Sequence, residues 1–308
     1  MHDFKAAFIG YGEVGRILAE DLRRQGVAVS AYDIKLGGVD KLTLQQHAAE
    51  HGVRLAASHV DAARGADLVV SAVTASQAVP VAEAAAPGLS RGSFFLDFNS
   101  ASPGAKMRAA GIVNAAGGRY VEGAVMTSLP PYRIKVPLLL GGPDADALQP
   151  QLAALGFAAR VADERLGIAS ATKMCRSIMI KGLEAMVIES FTTARHYGVE
   201  DAVVASLQET FPGIDWEKQA AYFFQRVIEH GRRRSEEVRE VAVTVREAGL
   251  EPHSASGTAD RQAWMADLVD AGVFGARGKA TFARSTDWRV EADRILAHIS
   301  AEASAPKD

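Results

Sequence analysis

An amine, a guanidinium and a hydroxyl recur within one short stretch of this 308-residue chain, at Lys173, Arg176 and Ser177. At about 100° per residue the three share a helical face with Ile180 and Glu184, and Lys181 lies at its edge. Lysine takes or gives a proton, arginine's planar fork suits a carboxylate, and serine can hold a substrate hydroxyl. Two cations beside a hydroxyl, on a helix otherwise rich in Ala, Ile and Met, are costly to bury without a purpose. The plain alternative is a stripe of solvated charge. What precedes the stretch in the chain favours chemistry.

Near the start, Gly10-Tyr11-Gly12-Glu13-Val14-Gly15 follows an apolar run and opens a helical one. In that context Gly10 permits a tight turn, Gly12 lets a pyrophosphate approach the backbone, and Gly15 lets helix pack on strand. The free amides at the helix start, around Tyr11, Glu13 and Val14, then bind the phosphates. Asp33, with Ile34 beside it, follows 18 residues after Gly15, where a carboxylate accepts hydrogen bonds from the adenosine ribose. Its charge repels a 2′-phosphate and favours NAD, while Lys35 leaves NADP possible. Val73, Thr74 and Gln77 belong to a loop of small residues suited to pass under the riboses. Asn99 and Ser100 fall at the carboxyl end of a later strand, where open parallel sheets bind ligands. One of Ser100 and Ser102 should cap the helix that begins at Pro103.

The elements that must position these groups alternate through the first half. Strands are expected at 5–10, 27–33, 68–73, 93–98, 120–125, 136–141 and 157–162, with helices such as 14–25, 76–86 and 144–155 between them. Continuous apolar strands separated by helices imply a doubly wound, mostly parallel α/β sheet. From Gly167 to Tyr197 runs a helix-compatible stretch of about 30 residues, some 45 Å long, stopped by Gly198. Beyond it helices are expected at 201–210, 216–230, 235–248, 258–271 and 286–301. The reading is a Rossmann domain over 1–163 and an all-α domain over 164–308 for substrate and dimerisation, joined by the long helix.

Composition bounds the rest. Net charge is −3 and 48% of residues are hydrophobic, enough for two cores and no general attraction to nucleic acid or anionic membrane. The single Cys175 excludes an internal disulfide and fits a reducing compartment. No apolar run approaches the roughly 20 residues of a membrane span. The first residues lead straight into a strand without a signal-peptide pattern, so a cytoplasmic protein is expected, and residues 301–308 read as a frayed end.

With these pieces in order, the chain resembles the β-hydroxyacid dehydrogenase family, which contains 3-hydroxyisobutyrate and 6-phosphogluconate dehydrogenases. The family's D-x-S-T-x-x-P pattern is matched by Asp97, Ser100 and Pro103, with Asn99 in place of the serine. Its substrate-binding D-A-P-V-S-G-G segment is echoed in 122–128, where Met126, Thr127 and Ser128 replace the serine and two glycines. Its catalytic K-x-x-N-N is matched at Lys173, with Arg176 and Ser177 where the asparagines stand. These departures, and the wording from Lys173 to Glu184, resemble a side branch with its own largely uncharacterised C-terminal domain. The resemblance implies the fold, a nicotinamide dinucleotide, and Lys173 as general acid/base. It also implies a basic residue reaching the site from near Arg232-Arg233-Arg234, with Arg234 the candidate. His253 could line the cleft.

The expected reaction is hydride transfer between NAD(P) and the hydroxyl-bearing carbon of a small β-hydroxy acid, by a homodimer. Desolvation and the neighbouring Arg176 would keep Lys173 neutral. Met126, Thr127, Ser128, Asn99, Ser100, Arg176, Ser177 and Arg234 would hold the hydroxy acid or its oxo product. The rivals are an imine or ketone reductase on the same scaffold and a dinucleotide sensor without turnover.

Overall fold

The computed structural model describes residues 4–279, 282–283 and 285–304. The first half runs β1 (Lys5–Ile9), α1 (Glu13–Arg24), β2 (Ala28–Tyr32), α2 (Lys41–His51), β3 (Arg54–Leu55), α3 (His59–Ala63) and β4 (Leu68–Ser71). It continues through α4 (Ala78–Ala85), β5 (Phe94–Asp97), α5 (Pro103–Ala115), β6 (Arg119–Val125), β7 (Leu138–Gly141), α6 (Ala145–Ala154) and β8 (Ala159–Asp163). The eight strands form one sheet in the order β3-β2-β1-β4-β5-β6-β7-β8. All neighbours are parallel except β6 and β7. Every expected strand is present. The two-residue β3 is the addition, too short to leave a periodic signal.

Burial explains why these runs are strands. All four residues of β4, of β5 and of β7 are buried, as a sheet covered by helices on both faces requires. Successive residues feed opposite cores. Phe8, Val70 and Leu96 join Leu18, Val29 and Leu148 on one side. Ile9, Val69 and Phe95 join Val81, Val113 and Tyr120 on the other.

After β8 comes α7 (Ile168–Tyr197), 30 residues long as its composition suggests. It is anchored at its start by Glu122 of β6, which is fully buried. Oε1 of Glu122 accepts from the amides of Gly167 at 3.0 Å and Ala169 at 2.9 Å, and Oε2 accepts from the Ser170 hydroxyl at 2.9 Å. A buried carboxylate is tolerable here because the helix start offers unpaired donors and a positive dipole end. Gly141 makes room for it, since a Cβ there would lie 2.3 Å from Oε1.

The chain divides into two compact units inside this helix. One takes in the chain up to Cys175 together with Val243–Gly249; the other takes in Arg176–Ala242 and the chain from Leu250 on. The second unit is helical: the rest of α7, then α8 (Glu200–Thr210), most of α9 (Trp216–Glu247), α10 (His253–Asp270) and α11 (Trp288–Ser304). Its core gathers Phe191, Phe224, Ile228, Met265, Phe274, Trp288 and Ile295. Among the described residues no helix is long and apolar enough to cross a membrane.

Two expectations are corrected. Gly231 does not separate two helices; α9 runs through it unbroken for 32 residues. The glycine serves packing instead, because a Cβ at 231 would come 2.8 Å from the carbonyl oxygen of Gln262 on α10. The Arg232–Arg234 triplet is therefore mid-helix, not at a helix start. The expected loose tail is helical as far as Ser304, and 305–308 lie outside the described residues.

Replacing Glu122 with Gln keeps the shape but removes the charge facing three donors. Hydrogen bonds to charged groups contribute about 1.5–3 kcal/mol, so urea denaturation should show a stability loss of that order. An unchanged midpoint would mean that the carboxylate does not anchor α7.

Candidate active site

The turn after β1 is built by contacts that only glycine allows. Gly10 has φ +95°, and a Cβ there would lie 2.2 Å from the carbonyl oxygen of Ala72. A Cβ on Gly15 would meet the Gly10 carbonyl oxygen at 2.1 Å. Gly12 differs: a Cβ there meets nothing within 4 Å. It begins α1 without any side-chain cap, so the first amides, of Glu13, Val14 and Gly15, are free to bind an anion. Tyr11 between the glycines is fully buried, and its amide donates to Oδ2 of Asp33 at 2.7 Å. Oδ1 of Asp33 accepts from the Lys35 amide at 2.9 Å. The carboxylate is thus fixed by backbone at the carboxyl end of β2, with one lone pair left on each oxygen. Ile34 beside it is 72% exposed, an apolar surface of the kind an adenine ring covers.

The loops after β4 and β5 are tied together by Asn99. Its Oδ1 accepts from the Val73 amide at 2.7 Å and its Nδ2 donates to Ser71 Oγ at 2.9 Å. Thr74 and Gln77 are exposed on the β4 loop. Beneath Asn99 lies a buried polar network. Asp97 accepts from the Asn99 amide at 2.8 Å and from the Tyr120 hydroxyl at 2.7 Å. Lys106, 1% exposed, reaches both the Asp97 carbonyl at 2.9 Å and its carboxylate at 3.1 Å. Burial, then the adjacent Asp97 charge, pushes the Tyr120 phenol well above its usual range, so it stays a donor. Ser102, not Ser100, caps α5, accepting from the Ala105 amide at 3.3 Å. The Ser102 hydroxyl in turn donates to Glu247 at 3.0 Å, and Glu247 also accepts from the Gly104 amide at 3.1 Å.

That leaves the Ser100 hydroxyl available, and Lys173 meets it. Nζ of Lys173 donates to Oγ of Ser100 at 2.6 Å. Met126 packs with Ala124, Leu139 and Ala169 close to the start of α7. Thr127 is exposed and Ser128 half-buried.

On the second unit's part of α7, Arg176 is exposed and makes no hydrogen bond or ion pair among the described residues, while Ser177 is buried. Arg234 is also buried. It pairs with Glu184, whose Oε2 accepts from Gln262 Nε2 at 3.2 Å as well. His253 is the exposed first residue of α10.

Sequence reasoning passed over Lys106, Tyr120 and Glu247, whose partners lie 9 to 145 residues away. Glu122 entered only as the first residue of the 122–128 segment, with no role at a helix start. A carboxylate inside the otherwise apolar run Tyr-Val-Glu-Gly-Ala-Val was the available signal.

A doubly wound sheet whose first turn is open to a pyrophosphate, with an acid fixed at the end of the second strand, defines an NAD(P)-binding domain. Residues 5–134 match the NAD binding domain of 6-phosphogluconate dehydrogenase, and residues 194–265 match a domain of unknown function (DUF1932). The chain belongs to the family that joins these two domains. A conserved hypothetical protein from Sinorhizobium meliloti 1021, of known structure, is 37% identical over 95% of this chain and 97% of its own, with TM-score 0.74. The conserved protein MTH1747, reported to be structurally similar to 3-hydroxyacid dehydrogenases, is 29% identical over 85% of this chain and 98% of its own, with TM-score 0.67. The mitochondrial 3-hydroxyisobutyrate dehydrogenase of Drosophila melanogaster is 23% identical over 68% of this chain and 64% of its own. The NAD(P)-binding fold is hydroxyacid-dehydrogenase-like.

The three glycines should separate under alanine substitution. Gly12→Ala should leave the thermal midpoint within about 2 °C, since nothing opposes the new methyl and exposed changes stay within ±0.5 kcal/mol. NADH titration should nevertheless show at least about tenfold weaker binding. Gly10→Ala should unfold the domain more readily, because its methyl collides with backbone. Unchanged NADH affinity in Gly12→Ala would remove the turn from the cofactor site.

Proposed function

We propose that this protein is an NAD-dependent dehydrogenase of a small β-hydroxy acid, with Lys173 as acid and base and Arg176 as the anchor for the substrate carboxylate. The observation that carries this reading is the 2.6 Å contact between Lys173 Nζ and Ser100 Oγ. It sets an amine at the carboxyl end of the sheet, beside the loop that Asn99 ties to Val73.

Bound nicotinamide supplies the hydride acceptor for oxidation and the donor for reduction. The chain's residues manage the rest. In oxidation Lys173 takes the proton of the substrate hydroxyl as the carbon gives up its hydride; in reduction it returns that proton. Ser100 holds the amine in place and shares the hydroxyl's hydrogen bonds. Arg176, one turn along α7, offers a planar fork to a carboxylate and disfavours a second positive charge on Lys173. Among the described residues it has no hydrogen-bond or ion-pair partner, which leaves it open to a substrate carboxylate. Ser177, Met126, Thr127 and Ser128 complete the assignment as substrate contacts. Arg234 enters it only as the ion-paired support of Glu184.

Asp33 supports NAD over NADP, and the nearest rival feature is already engaged: Lys35 pairs with Asp40 at 3.2 Å. An imine or ketone reductase on this scaffold would need no carboxylate anchor, so Arg176 decides between the readings. In the helical unit Met179, Met186 and Tyr222 are 72%, 62% and 52% exposed, which supports a homodimer.

The experiment is turnover of a panel of C3–C6 hydroxy acids with NAD, followed by absorbance of the reduced cofactor. Lys173→Met should lower kcat at least ~10²-fold with NADH affinity unchanged. Arg176→Gln should lower kcat/KM for acids by an amount equivalent to roughly 1.5–3 kcal/mol, and far less for their esters. Equal losses on acids and esters would return Arg176 to the scaffold. Turnover surviving in Lys173→Met would place the base elsewhere.

A further inference from the structure

Helices α1 and α2 bring three metal-type donors to one point, beside the Tyr11 side chain. His47 and His51 stand four residues apart on α2 and so leave the same face. Glu20 of α1 meets them. Its Oε1 lies 3.2 Å from Nε2 of His47 and 3.5 Å from Nε2 of His51. All three donor atoms lie within 4.8 Å of one another. Ligands held about 2.0–2.1 Å from a tetrahedral zinc ion stand about 3.3–3.4 Å apart, so the two measured edges fit such an ion with little movement.

The surroundings hold Glu20 and His47 by the atom that a metal would not use. Oε2 of Glu20 accepts from Arg24 at 3.1 Å and from Arg133, which leaves Oε1 directed at the histidines. Nδ1 of His47 lies 2.8 Å from the Tyr11 hydroxyl. With Nε2 on a metal, that bond runs from Nδ1–H to the phenol oxygen, the outer hydrogen bond that orients ligating imidazoles. The nearby guanidiniums of Arg24 and Arg133 are engaged by Glu20 and Asp21. Two imidazoles and one carboxylate among such cations disfavour calcium or magnesium, which need oxygen ligands, and suit a borderline transition metal.

We infer that Glu20, His47 and His51 form a site for a divalent transition-metal ion of the zinc type, with a fourth position for water. The ion ties α1 to α2 and sets the His47 ring against Tyr11, whose backbone lies in the dinucleotide turn. The site is independent of the reaction assigned to Lys173, and its test reads metal, not turnover.

Calorimetric titration of the metal-free, full-length protein with zinc chloride should show one ion per chain at micromolar or tighter affinity. Cobalt(II) in its place should give the strong visible bands of a four-coordinate ion. His47→Ala and His51→Ala should each weaken binding by more than the roughly 10–100-fold that loss of an outer partner costs, and should abolish the cobalt bands. His196→Ala, an exposed histidine elsewhere, should change neither. If His47→Ala folds poorly by circular dichroism, His51→Gln, at a side chain 21% exposed, carries the test alone. No stoichiometric uptake of zinc, or uptake that survives the histidine substitutions, overturns the site.

Discussion

The placement of Lys173 depends on one buried carboxylate. Glu122 leaves an apolar strand and ends its reach at the first turn of α7, where the buried Gly167 and Ala169 amides would otherwise lack this acceptor and the Ser170 hydroxyl also donates to it. Water would compete for those donors if it could reach them; it cannot, so the charge and the helix start stabilise each other. The register follows. Once Gly167, Ala169 and Ser170 are held, the next turn presents Lys173 to Ser100. Sliding the helix by one residue would swing its side chains by about 100° and part the amine from the hydroxyl.

The opposing wall is fixed by a second polar construction. Asp97 accepts bonds from Asn99, Tyr120 and Lys106 in a region that excludes solvent. With every member supplied with a partner, such a network rigidifies where a partly paired one would destabilise. It leaves Asp97 no role as a base, since its oxygens already serve buried donors. Its product is a rigid loop: Asn99 spans to Val73, and Ser100 stands clear while Ser102 caps α5. Chemistry is assigned to the exposed end of this arrangement and support to the buried end.

The sheet's strands and the glycine turn were legible because each is a local pattern. Strands buried on both faces read as continuous apolar runs, and a turn that admits no Cβ writes glycine at fixed spacing. What escaped was decided by another segment of chain. Gly231 looks like a helix end, since glycine disfavours helix by about 1 kcal/mol, yet tertiary contact with the Gln262 carbonyl overrides propensity. Lys106 and Tyr120 resemble ordinary surface and core residues until Asp97 lies between them. Glu122 entered only as the start of the 122–128 segment, because spacing along the chain cannot show that a helix start will meet it.

The basic residues drawn into the reading show how burial sorts like from like. Lys181, predominantly buried, pairs with Glu237 at 2.6 Å, and Arg234 pairs with Glu184. Each pairing compensates a desolvated charge, and removing Glu237 or Glu184 would leave Lys181 or Arg234 buried without that acid, at a cost of about 3–5 kcal/mol. Residues held on those terms are poor substrate ligands, because binding would have to replace a partner already desolvated. Lys173 also donates to a neutral hydroxyl, that of Ser100, which accepts from an ammonium and still donates to a neutral amine. Arg176 remains exposed with no acid engaged among the described residues, and the buried acids Glu122 and Glu184 are otherwise occupied. A guanidinium in that state meets a carboxylate without breaking an existing ion pair, which is why the substrate anchor is assigned to Arg176 and not to Arg234.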